Sequence, residues 1–211
     1  MNWFIFTLLS TVIYGLINFM YKVAAIHKLS SHQILNRSAT AVSVSSFVLI
    51  LITQSEFSDV KQILFFAAIN STFFALGTIS KISSLKNIPS SFAFPITKLN
   101  AAFLLIYALI LFNEQPTIKQ WLGITISFSI LAYISVNINQ EKVEQVDRKK
   151  QIIGVSLALL AAFSTSISML TGKFASTEVP KLNYIFISYT CLLYTSPSPR
   201  DRTRSRMPSS A

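Results

Sequence analysis

KNIPSSFAFPITKLNAAFLLIYALILFNEQPTIKQWLGITISFSILAYIS, residues 86–135, holds one long apolar run and most of a second, separated only by NEQPT. The first occupies residues 91–112 and the second residues 118–138. A hydrocarbon core about 30 Å thick takes about 20 residues of helix to cross. Each run has that length, and a five-residue turn can only send the second helix back alongside the first. Lipid leaves no backbone group satisfied outside a helix or a closed barrel. The stretch therefore predicts an antiparallel pair of transmembrane helices.

The rest of the chain repeats that pattern. Upstream lie apolar runs at residues 3–25, 32–53 and 62–85, and downstream one at 151–175. NQEKVEQVDRKK, residues 139–150, is the long hydrophilic loop between them. LNYIFISYT, residues 182–190, begins a further run that stops after nine residues, about 14 Å of helix. The first run is not a signal peptide, because no basic segment precedes it and it is too long for an apolar signal core. The expected fold is all-α, a polytopic transmembrane helix bundle.

Composition agrees. Of 211 residues 52% are apolar and 12% charged, about half the charge of a soluble domain. Of the net charge of +10, residues 191–211 carry +3, and the +7 of residues 1–190 lies mostly between hydrophobic runs, where loops meet anionic headgroups. A nucleic-acid partner would need a concentrated basic stripe or a known motif, and neither is present. Cys191 is the sole cysteine, and His27 and His32 have no metal-spaced partner. No Gly-rich phosphate loop exists either. The chain is read as a non-enzyme with no cofactor and no metal.

Small residues four apart recur as Ala39 and Ser43, Ala67 and Ser71, and Ala158 and Ala162, the spacing at which membrane helices approach closely. Polar residues form stripes. Tyr14, Asn18 and Lys22 follow one another every four residues in the first run; Asn36, Thr40 and Ser43 line the second; Asn70, Gly77 and Lys81 share a face of the third. Such stripes either converge on a cavity or hydrogen-bond between helices. Lys98 is the sharpest candidate, since the apolar run after it is only 14 residues, about 21 Å, which draws Lys98 below the membrane surface. It faces either a cavity or partner, or snorkels to the interface. The cavity-lining candidates are Lys98, Asn18, Lys22, Tyr14 and Asn70. Pro95, Glu114, Pro116 and Gly123 are read as structural. Pro95 belongs in the first turn of its helix or loosens it; Pro116 suits the first position of the next helix, with Glu114 near the positive end of its dipole. Trp3 and Trp121 suit interfacial anchors.

TLLSTVIYGLINFMYKVA (residues 7–24) aligns without gaps onto ALLAAFSTSISMLTGKFA (residues 158–175), pairing Lys22 with Lys173. Five spans precede the second copy, and an odd number inverts it, as in many secondary transporters. Residues 1–138 then form one complete five-helix repeat and residues 151–190 the start of a second, inverted one.

The opening stretch resembles the end of an EamA-type repeat of the drug/metabolite transporter superfamily. The matching features are Pro95 early in the fourth helix, Glu114 closing it, and Gln120 with Gly123 opening the fifth; Tyr14, Gly15, Asn18 and Lys22 suit the first helix. The resemblance implies ten helices in two inverted halves and export of a small metabolite or drug-like solute by alternating access. It also implies a bacterial cytoplasmic membrane, with the bilayer, the solute and a second copy of the chain as candidate partners. The alternative is a non-transporting or lipid-handling membrane protein of the same fold. Having half of an inverted pair, the chain as sequenced is expected to be inactive. The resemblance implies a cytoplasmic N-terminus, whereas Lys and Arg concentrate in the first, third and fifth loops, which by positive-inside counting favours the opposite orientation.

CLLYTSPSPRDRTRSRMPSSA, residues 191–211, reads as the translation of a sequencing adapter and is expected to be a disordered tail outside the fold. On that reading the short seventh run marks where the native sequence breaks off.

Overall fold

The computed structural model describes residues 3–27, 29–55, 59–113, 115–137 and 148–195, and their regular structure is helical throughout. The helices are α1 (Trp3–Ile26), α2 (Ser31–Thr53), α3 (Val60–Asn87), α4 (Ser90–Thr97), α5 (Asn100–Leu111), α6 (Ile118–Asn137), α7 (Arg148–Glu178) and α8 (Lys181–Thr195). Among the described residues, five segments are long and apolar enough to cross a bilayer: Phe4–Ile26, Ser31–Thr53, Val60–Asn87, Ser90–Leu111 and Arg148–Glu178. The all-α polytopic bundle stands. Helix α6 has the length expected of a span, 20 residues. The hydrophilic loop at 139–150 lies outside the described residues as far as 147.

The fourth span is two helices rather than one. Pro95 lies inside α4, not in its first turn, since the helix begins at Ser90. Past it the hydrogen bonding tightens: Lys98 N–H donates to the Phe94 and Pro95 carbonyls, and Leu99, Ala101 and Ala102 each donate three residues back, at 2.9–3.1 Å. Such three-residue bonding interrupts an α-helix over a few residues only. It interrupts the α-helical bonding at Lys98 and Leu99, between α4 and α5.

Helix α6 starts at Ile118, two residues after Pro116. Gln120 Oε1 accepts from the Thr117 backbone N–H at 2.7 Å and from its hydroxyl at 3.1 Å, and Trp121 N–H donates to the Thr117 carbonyl. Thr117 is thus the cap, with Gln120 three residues on reaching back as in a capping box. Pro116 precedes the cap instead of opening the helix, and Glu114 lies outside the described residues. Gln120→Ala should cost about 1 kcal/mol of stability, read as a lower unfolding midpoint in detergent; an unchanged midpoint would show that the reach-back carries no weight.

The seventh run also departs from expectation. Helix α8 continues through Cys191 to Thr195, with Leu192 buried. Leu192 and Leu193 simply extend the apolar run, so the first residues of the supposed tail are helical; residues 196–211 lie outside the described residues.

The chain packs as two compact units interleaved in sequence, residues 1–31 with 77–166 and residues 32–76 with 167–211. In the first, the end of α3 lies against the start of α7 through small residues. Ser84 Oγ donates to the Gly154 carbonyl at 2.8 Å in a fully buried bond, and Ala158, Ala161 and Ala162 are buried. A Cβ built on Gly154 would stand 2.5 Å from Ile88 Cγ2, and one on Gly77 2.6 Å from Thr165 Oγ1. Lys86 Nζ donates to the Leu29 carbonyl at 2.6 Å and ties the last turn of α3 to the connection after α1. Helix α4 packs against α6. Before Ala24, by contrast, α1 buries no described residue; its Phe, Leu and Ile side chains suit lipid as solvent.

In the second unit, Ile63, Ala175, Val179 and Tyr184 form a core flanked by Phe66, Ile185 and Ile187. Ala39, Ser43, Ala67 and Ser71 are buried there, so the four-residue spacings do mark packing faces. Polar side chains join its helices: Ser43 with Thr190 at 2.9 Å, and Ser168 with Asn70 at 2.5 Å.

Candidate functional site

The first unit brings α1, the end of α3 and the α4–α5 break together around aromatic rings. Asn18 is the centre. Its Nδ2 donates to the Tyr14 carbonyl at 2.8 Å, one turn back, which fixes the amide and leaves Oδ1 pointing away from α1. Lys81 Nζ donates to that oxygen at 2.5 Å. The same ammonium faces the rings of Tyr14, Tyr21 and Phe94, with centroids at 5.7, 5.5 and 5.8 Å. Lys98 folds back onto α1 and places Nζ 4.5 Å from the Tyr14 centroid.

Depth follows from position. Lys81 lies six residues before the end of α3, and Lys98 eight residues after the start of α4. Those helix ends are joined by Ile88 and Pro89, so the two lysine backbone positions lie about 9–12 Å along the helices from that junction. A charge there is costly and faces a cavity or a partner.

The electrostatics are one-sided. Both ammonium groups sit over the Tyr14 ring and so are no more than about 10 Å apart, where unit charges repel by about 2 kcal/mol at an effective dielectric constant of ~20. No Asp or Glu occurs in α1 to α6. An amide oxygen and ring faces solvate the cations but do not neutralise them.

Three of the five cavity candidates, Tyr14, Asn18 and Lys98, are brought together here. Lys22 is not; it is exposed. Eight residues beyond Tyr14 is about 80° past its face, whereas Tyr21, seven residues on, is only about 20° off. Asn70 belongs to the other unit, where Ser168 takes its side-chain oxygen. Lys81, Tyr21 and Phe94 were not among the candidates. The signal for Lys81 was present, since it shares a face with Asn70 and Gly77 and is a cation inside an apolar run. Nothing in the spacing singles out Phe94 among 17 phenylalanines.

A separate groove of about 680 Å³ runs between α5 and α6, lined mainly by apolar side chains with Pro116, Gln120 and Gly123 at its rim. It contains none of the cationic cluster, so volume and chemistry part company. The charged cluster is the better candidate site, because an apolar groove on a membrane helix pair is filled by lipid or protein without any specific chemistry.

The profile of the EamA-like transporter family matches residues 1–136, well over half of the chain. The chain belongs to that family. The EamA-like region contains every residue of the cluster, from Tyr14 to Lys98, while α7 and α8 lie beyond it. As an EamA-like protein with apolar helices of spanning length, it is an integral membrane transporter, whose setting is a lipid bilayer and a small solute; the family is one of transporters rather than enzymes. Neither the curated proteins nor the solved structures hold a match to the chain.

Proposed function

We propose that the protein exports a small metabolite or drug-like solute by alternating access, with Tyr14, Asn18, Lys81 and Lys98 lining the solute's path. The observation that carries this is the meeting of two lysines, an asparagine and two tyrosines from α1, α3 and the α4–α5 break at membrane depth. A non-transporting packing partner would have no use for two uncompensated cations there. The break at Lys98 and Leu99 supports the reading, because interrupted helices are where secondary transporters place their sites. Export and a bacterial cytoplasmic membrane follow from the family resemblance.

Alternating access has a direct test. On a Cys191→Ser background, Phe94→Cys puts a thiol beside the Lys81 ammonium. In oriented vesicles of a chain carrying both inverted repeats, since the half pair is expected to be inactive, a membrane-impermeant maleimide should label it from either face, at rates differing by no more than about tenfold. Labelling from one face only would mean a closed pocket and would remove the alternating-access reading.

A further inference from the structure

We infer that the solute carries an anionic group, a carboxylate or phosphate, held between Lys81 and Lys98 over the Tyr14 ring. This deepens the transport reading and rests on it. The argument begins with what the cluster lacks. Lys81 has an amide oxygen and three ring faces as partners; Lys98 has the Tyr14 ring. Every one of these partners is formally neutral. An ammonium offers three N–H donors, and the one hydrogen bond Lys81 gives, to Asn18, leaves donors over for a ligand. The helices themselves supply no counter-charge, since α1 to α6 contain no Asp or Glu.

An aromatic cage ordinarily selects cations, because ring faces are electron-rich. Here the cage is already filled by the protein's own ammonium. A cationic solute arriving at the Tyr14 ring would meet the ammonium groups of both Lys81 and Lys98. Repulsion excludes the amine and quaternary ammonium class, which narrows "drug-like" considerably. A neutral solute would gain hydrogen bonds but leave the two charges facing each other. Only an anion reverses the repulsion and uses the free donors together, through charge-assisted bonds.

The anion has two sources, a soluble metabolite or the headgroup of an acidic lipid, and one experiment separates them. The full 211-residue chain is placed in phosphatidylcholine nanodiscs. Its unfolding midpoint is followed against phosphate, succinate, glutamate and glucose 6-phosphate. Succinamide, glutamine and glucose serve as uncharged counterparts, and putrescine as a cation. At least one soluble anion should raise the midpoint while its uncharged counterpart and putrescine do not. Lys98→Gln and Lys81→Gln should each weaken that anion by about tenfold or more, the loss of one charge-assisted bond. If soluble anions do nothing but phosphatidylglycerol stabilises the wild type and not Lys98→Gln, the anion is a headgroup and the inference stands. Stabilisation by putrescine or by a neutral compound alone, equal binding in the two lysine variants, or no response to any anion in either arm would overturn it. Anion binding with Phe94→Cys labelled from one face only would overturn the transport reading and leave the anion site standing.

Discussion

Gly154→Leu should lower the yield of folded protein and its unfolding midpoint together, while Gly123→Leu should leave both intact. The Cβ position of Gly154 is 2.5 Å from Ile88 Cγ2 and 3.2 Å from Asn87 Cβ, and Gly123 has nothing within 4 Å. Ile88 cannot yield by swinging its end away, because Cγ2 is bonded to the branched Cβ, whose rotamers are restricted. It is buried and sits at the junction leading into α4. Helix α7 must therefore move, and moving it breaks the buried bond from Ser84 Oγ to the Gly154 carbonyl. Overpacking costs about 1–3 kcal/mol, and stranding a buried hydroxyl and carbonyl costs about 1–3 kcal/mol more. Against a total stability of roughly 5–15 kcal/mol, that is enough to shift expression and unfolding midpoint together. Size-exclusion profiles of the two variants in one detergent give the answer. Gly154→Ala should fall between them, and Ile88→Ala should partly rescue Gly154→Leu. Equal behaviour of Gly154→Leu and Gly123→Leu would mean the α3–α7 contact does not hold the first unit together.

That contact also shows what could be read in advance. Apolar length alone announced the helices, because a bilayer demands about 20 residues whatever their order. The four-residue spacing of Ala158 and Ala162 marked a packing face, but it could not say which helix would fill it. Gly77 and Gly154 sit in the same kind of apolar run as Gly15 and Gly123, and only the partner helix distinguishes them. The break between α4 and α5 was hidden for a related reason. Pro95 was visible, but a proline is tolerated in the first turn of a helix and disruptive in its interior, and the choice depends on a start at Ser90 that no capping side chain announces. The site was legible in proportion to the charge involved. Lys98 stood out because an ammonium in an apolar run is expensive. Lys22 looked equally good by a four-residue rule that drifts around the helix, and the true third member of the α1 stripe, Tyr21, lies one residue earlier.

Asn18→Leu and Lys81→Met should move stability in different directions, and together cost less than their sum. Asn18→Leu keeps the ammonium of Lys81 at membrane depth and deletes its hydrogen-bond acceptor, leaving only ring faces. Stranding a charged donor costs upwards of about 1–3 kcal/mol. Lys81→Met removes the charge itself and its repulsion with Lys98. The Asn18 amide it leaves behind still donates to the Tyr14 carbonyl. Lys81→Met should therefore be neutral or stabilising in unfolding measurements, as replacement of a poorly compensated charge by an apolar isostere often is. In the double variant nothing charged is stranded, so the coupling should be about 1–3 kcal/mol. The signs are what matter. If Lys81 were a structural strut, holding α3 to α1 through Asn18, both single variants would destabilise by similar amounts. A lysine that costs stability and is kept nonetheless is one that does something to a ligand, and a stabilised Lys81→Met that has lost anion binding would show both halves of that bargain in one protein.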